Sequence, residues 1–245
     1  MPLFRLMCFA PAVLAVVFTM IATNGSCANN ERLAEVRARV EPGLRRDLAA
    51  AGLKWGAPVL IRAFKESAEL ELWMAAGKGE PWRLWRTWPI ARQSGALGPK
   101  QREGDLQVPE GFYQVSLEGL NPLSRYHLSF NIGYPNERDR HLERTGSLIM
   151  IHGGALSIGC LAMTDPVIGE IYLLVEAALR GGQAEVPVHL FPFWMTKERL
   201  EDAADSPWLE FWTDELLPVW NEFEKSRIPP RIIQSEGRYL MPSST

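Results

Sequence analysis

Cysteine is scarce in this chain, with Cys8, Cys27 and Cys160 the only three in 245 residues, so no disulfide framework organises it. An excess of charge is missing as well. Twenty-six Lys and Arg against 29 Asp and Glu leave a net charge of −3, and no basic stripe of the kind nucleic-acid binding needs, so that class of partner is excluded. The four histidines show neither His-x-His nor His-Glu-x-x-His spacing; with so few thiols, neither a metal site nor a cofactor is expected. Internal repeats and low-complexity tracts are absent too. What is there suits one sizeable domain with appendages: 47% hydrophobic residues, enough for a real core.

The first residues follow the order of a secretory signal. Arg5 is followed by an apolar run from Leu6 to Ala22, then by the small polar residues Asn24, Gly25 and Ser26. Ser26 and Ala28 stand at −3 and −1 of a cut after Ala28, which predicts a mature start near Asn29 and a periplasmic or otherwise extracytoplasmic location. A lipoprotein cut before Cys27 is disfavoured by Asn24. An uncleaved anchor stays open, because the run is close to the shortest that spans a bilayer; any membrane contact is through this segment. Cleavage leaves Cys160 as the sole thiol of the mature chain. A lone thiol is either a small buried hydrophobe or a reactive group, and its neighbourhood must decide.

Residues 29–56 read as a helical lead-in, with Leu33, Val36, Val40, Leu44 and Leu48 at helical spacing and Pro42 expected to divide it into two helices. From residue 57 the texture turns to short extended runs. Val59–Phe64 and Leu70–Trp73 flank a polar turn and predict a hairpin, and Trp82–Trp88 a half-buried strand. Further strands are expected over Gly111–Leu117, His127–Ile132, Leu148–His152 and Val186–Phe191. A helix between the last two is expected to be capped by Asp165, to carry Pro166 in its first turn and to stop at Gly181-Gly182. Residues 196–245 form an aromatic helical extension whose stripe from Trp208 to Phe223 reads as core packing rather than a saccharide cleft, kinked at Pro218. The class is α+β, a β-rich domain over residues 57–195 with flanking helices.

One stretch carries chemistry. Ile149-Met150-Ile151-His152 is an apolar strand delivering a histidine at its end, a Gly-rich loop follows, and Ser157-Ile158-Gly159-Cys160 presents the thiol. A nucleophilic cysteine needs a base within reach, and eight residues of turning loop can bring His152 back to Cys160. Gly159 lets the backbone turn tightly and leaves amides free to face a developing oxyanion. Ser157 is expected to shape the turn through a backbone bond. Lys100 and Arg102, in a charged loop, either hold a carboxylate-rich ligand or form a solvated surface. His127 either faces the site or is a satisfied structural histidine.

The segment resembles the active-site motif of the L,D-transpeptidases, the YkuD-type fold, and is most similar to the YafK-like branch. The residues that carry the likeness are Ser157-Ile158-Gly159-Cys160-Leu161-Ala162-Met163-Thr164, Gly98–Asp105, Pro109–Tyr113, Ser124–His127 and Asn131–Asn136. The resemblance implies a mixed β-sandwich and attack by the Cys160 thiolate on the bond between an L-centre and a D-residue of a peptidoglycan stem peptide. It also implies His152 as base, the Gly153 carbonyl as the group orienting the imidazole, and the Gly159 and Cys160 amides as the oxyanion hole. Two positions depart from the family pattern: Ile158 replaces a second histidine, and Ala162 stands where Arg or Asn is common. Three functions compete: a transferase forming peptide cross-links or wall attachments, a hydrolase of diaminopimelate-linked bonds including those tethering a protein to the wall, and an inert wall-binding module.

Overall fold

The computed structural model describes residues 24–242. The apolar core of the expected signal segment therefore lies outside the described residues. Among the described residues no helix is long and apolar enough to cross a membrane.

The chain runs through α1 (Asn24–Ala50), β1 (Val59–Phe64), β2 (Glu69–Met74), β3 (Arg83–Pro89), β4 (Gly111–Val115), β5 (Leu120–Asn121), β6 (Ser129–Asn131), α2 (Glu137–His141), β7 (Met150–His152), β8 (Leu161–Ala162), α3 (Asp165–Arg180) and β9 (Val186–Phe191). It ends in α4 (Lys197–Asp202), α5 (Leu209–Phe211), a π-helical turn (Trp212–Leu216), α6 (Leu217–Ser226) and the hairpin β10 (Ile233–Ser235) and β11 (Arg238–Leu240). The strands form two mixed sheets, β3-β2-β1-β9-β4 and β5-β6-β7-β8, with the small hairpin apart. β1 and β2 pair antiparallel as the polar turn between them predicts, while β1 and β9 run parallel.

The main core is built around α3. Ile168, Ile171, Tyr172 and Val175 are almost wholly buried, together with Val59, Ile61, Leu72 and Val188 of the first sheet and Phe130 and Ile151 of the second. Val36, Leu44 and Leu48 dock α1 onto the same cluster. α1 is one helix, not the expected two. Pro42 costs it a backbone hydrogen bond, but apolar anchors lie on both sides of the proline, and Glu41, itself paired with Arg37, reaches across it to Arg45.

The C-terminal stretch adds a second cluster in which Phe64, Phe112, Phe191 and Phe193 meet Trp212, Trp220 and Tyr239. Its aromatics are core, as their spacing predicts. Pro218 follows a π-helical turn rather than kinking an α-helix. Widening the turn ahead of a proline relieves the clash its ring makes one turn earlier. The extension also contains β10 and β11, which the helical reading of residues 196–245 omitted.

Candidate active site

Two short strands position the thiol. β7 and β8 run parallel with Ile151 opposite Leu161 and His152 opposite Ala162, so Cys160, just ahead of β8, falls beside Met150. The Met150 amide donates to Cys160 Sγ at 3.4 Å, and the thiol reaches the Leu148 carbonyl at 3.8 Å. Ile151 points into the core at 0% exposure. Side chains alternate along a strand, so Met150 and His152 share the opposite face. His152 thus stands one diagonal step from the sulfur on that face. Among the described residues the imidazole is not a hydrogen-bond partner of Sγ; such bonds often tighten only in the substrate complex.

The imidazole is held by its surroundings. His152 Nδ1 lies 2.5 Å from the Gly153 carbonyl, and since that oxygen can only accept, the proton belongs on Nδ1 and Nε2 carries the free lone pair. The Tyr126 ring covers it at 4.7 Å between centroids. Gly153 is enclosed: a Cβ there would lie 2.6 Å from Asp165 Oδ1 and 2.7 Å from the Tyr126 carbonyl. Burial lowers the His152 pKa, opposed by the Gly153 contact. Burial raises that of Cys160, opposed by the Met150 amide and by the positive charge of Lys100.

The turn between them is shaped by few bonds. Ser157 Oγ donates to the Cys160 carbonyl at 2.7 Å. Gly159 sits at φ +113°, a region glycine alone enters cheaply, and a Cβ there would come within 3.3 Å of the Gln107 carbonyl. Leu156 and Ile158 project to solvent, 69% and 78% exposed. Asp165 does not cap α3. Thr164 holds that position at φ +66°, while Asp165 Oδ1 accepts from the Gly154 amide at 2.8 Å, tying the loop to the helix.

The remaining candidates fall in different places. Lys100 is buried, its ammonium 2.5 Å from Asp105 Oδ1 and 2.9 Å from the Arg102 carbonyl, whereas the Arg102 side chain is exposed and unpaired among the described residues. Burial pushes the Asp105 carboxyl up, but the Arg102, Gln101 and Gln107 amides and Lys100 outweigh it and hold it at about 2. His127 has φ +66°, a half-buried ring and an Nε2 that is buried without a partner, and burial lowers its pKa. Its carbonyl, with that of Ser124, accepts from Arg32 of α1 at 2.9 and 2.8 Å. Arg32, Tyr126 and Gln107 carried no sequence signal for these roles, since each acts through a contact far along the chain. His141 and His189 lie outside the site, and no group of three or more His, Cys, Asp or Glu side chains gathers among the described residues.

No family model matches the chain. It is 43% identical over 186 residues, 76% of this chain and 74% of the other, to YafK of Escherichia coli strain K12, whose L,D-transpeptidase designation is itself provisional, and equally to YafK of strain O157:H7. The chain belongs to the L,D-transpeptidase family. Its own architecture is α+β, two mixed sheets with flanking helices. Solved structures similar to it include the helical cell shape determining protein Pgp2 of Campylobacter jejuni as its K307A mutant (22% identity, 69% of this chain and 58% of that one, TM-score 0.45). Bd1075 of Bdellovibrio bacteriovorus is another (19% identity, 68% and 58%, TM-score 0.39). In this member of the family the turn before the thiol carries the exposed Ile158, and the buried Ala162 lies opposite His152.

Proposed function

We propose that this chain is an exported cysteine acyltransferase of peptidoglycan, with Cys160 as nucleophile and His152 as base. The observation that supports the reading is the parallel register of β7 and β8, with Cys160 beside Met150 and His152 two residues further along β7, its Nδ1 held by the Gly153 carbonyl. Nε2 takes the thiol proton as Sγ attacks the carbonyl carbon between an L-centre and a D-residue of a stem peptide. Negative charge on the carbonyl oxygen is met by the Gly159 and Cys160 amides. Collapse breaks the C–N bond, the imidazolium returns the proton to the leaving amine, and a thioester remains on Cys160. An acceptor amine then gives up a proton to His152, attacks the thioester and restores the thiol. The signal-like N-terminus supports action outside the cytoplasm.

A second reading, hydrolysis, is favoured by one feature. Beside the thiol, where an acceptor would need polar contacts, Leu156 and Ile158 offer only exposed aliphatic side chains. Water resolving the thioester would release a bond to diaminopimelate, including one that tethers a protein to the wall.

The test is incubation with isolated peptidoglycan followed by mass analysis of joined and released muropeptides. Joined products support the transferase and released ones alone the hydrolase. Cys160→Ser is expected to lower either activity by at least about a thousandfold with an unchanged melting temperature, because one histidine tuned to a thiol cannot activate a hydroxyl equally. A soluble Cys160→Ser protein that keeps most of its activity removes the cysteine from the mechanism.

A further inference from the structure

The proposed mechanism needs a thiolate, and burial opposes one twice, by raising the Cys160 thiol and by lowering its base His152. Among the described residues the two do not hydrogen-bond, so charge on the sulfur must find support elsewhere. We propose that Lys100 is a positioning residue for the nucleophile, a buried ammonium in the wall behind the thiol turn whose charge stabilises the Cys160 thiolate. This inference rests on Cys160 being the nucleophile and gives Lys100 an inward role in place of a contact with substrate.

The loop that carries Lys100 touches both segments that flank the sulfur. The lysine stem packs against Gly146, where a Cβ would lie 3.0 Å from Cε, two residues before the Leu148 carbonyl that Sγ reaches at 3.8 Å. The Thr145 amide donates to the Gln101 carbonyl at 3.2 Å, fastening the loop on that side. On the other side the Gln107 carbonyl lies against Gly159, the residue before Cys160.

Lys100 is 4% exposed, so its charge acts with little solvent screening. Asp105 balances it only in part, because the carboxylate also serves the Gln101, Arg102 and Gln107 amides at 2.8, 3.0 and 3.0 Å. Among the described residues the groups facing the ammonium are Asp105, bonded to it, and the Tyr134 ring at 5.9 Å, while His152 of β7 is two residues along the strand from Met150, which is bonded to the sulfur. The β7 and Leu148 segments bring backbone groups.

The test is the pH dependence of Cys160 alkylation by iodoacetamide in the full chain, read by peptide mass spectrometry so that Cys8 and Cys27 do not contribute. Lys100→Met is expected to raise the midpoint by about one pH unit, a roughly tenfold loss of thiolate at neutral pH, while Lys100→Arg holds it within about 0.3 unit. A lysine that only braces the loop would change the melting temperature and leave the midpoint alone, and that result in folded Lys100→Met overturns the proposal. Should Lys100→Met not fold, Asp105→Asn decides. With the counter-charge gone and the ammonium kept, the midpoint is expected to fall, and an unmoved or higher one overturns the proposal. The readout needs no wall substrate. A Lys100-dependent midpoint in a protein without peptidoglycan activity would sink the functional reading alone, and the converse would sink this one alone.

Discussion

In the first sheet β1 meets β2 over six residue pairs and β9 meets β4 over five, whereas in the second β6 meets β7 over three and β7 meets β8 over two. The long pairings lie over a close-packed interior: Val59, Leu60, Ile61, Phe64, Leu70 and Leu72 have no exposed surface. Around the short pairings sit left-handed backbones at His127, Leu148 and Thr164, and an imidazole nitrogen of His127 buried without a partner. Positive φ costs a non-glycine residue free energy, and for the β-branched Thr164 the cost is high. The difference teaches a division of labour. Burial in the first sheet supplies stability that the second draws on to hold a thiol turn fastened by few bonds.

The largest expected effect breaks that comparison from the stable side. Leu72 lies in the middle of β2 with 0% exposure, and Leu72→Ala is expected to cost about 2–5 kcal/mol by lost burial and the cavity left behind. Chemical denaturation measures it. Well below the new melting temperature, the Cys160 alkylation rate is expected to stay within about twofold of wild type. A larger change in that rate would mean that the two sheets are one mechanical unit and the division of labour is wrong.

A smaller effect probes the charged loop on the site side. With Lys100 turned inward, Arg102 is the cation left facing solvent. Diaminopimelate carries a free carboxylate, and Arg102→Ala is expected to weaken use of a diaminopimelate peptide roughly tenfold, in line with about 1.5–3 kcal/mol for a hydrogen bond to a charged group. Its melting temperature is expected to stay close to wild type, because the side chain is exposed. Steady-state kinetics on the peptide and its amidated counterpart decide. Equal discrimination by wild type and variant would show that Arg102 is only a solvated charge.

How much of this was legible depended on length and on local chemistry. The β1–β2 hairpin and α3 could be read because apolar runs of useful length ended in turn or cap residues. β5 and β8 could not, since two residues carry no period. A candidate site was readable in a short motif, His152 to Cys160; of the strands beneath it, β6 and β7 fall within expected apolar runs and β8 does not. Lys100 reads as either a carboxylate-holding or a solvated loop charge until the fold turns it toward Asp105, and Arg32 reaches its partners 92 and 95 residues away. α2 was overlooked, yet Asn136 and Asp139 form a reciprocal capping box of the kind a sequence can announce.

The last comparison sets one histidine of each sheet against the other. His189 of β9 is enclosed beside Phe112 and opposite Arg62 in the register, and burial first, then the Arg62 charge, pulls its pKa down to about 3. His152 is lowered as well, and its Nδ1 is held by the Gly153 carbonyl. The sign is the same for both: the folded state resists a proton that the unfolded chain accepts near 6.5. Stability is therefore complete above that value and declines as pH falls from there toward 3. For His189 alone the slope is about 1.4 kcal/mol per pH unit. His189→Leu, which cannot take the proton, is expected to flatten the fall in stability between pH 6.5 and 4 by that amount per unit, measured by denaturation at each pH. The acid limb of kcat/KM, expected below the ordinary histidine value of 6.5 because burial lowers His152, should not move in that variant. If His189→Leu shifted the acid limb while leaving the stability curve unchanged, the roles of the two histidines would have to be exchanged.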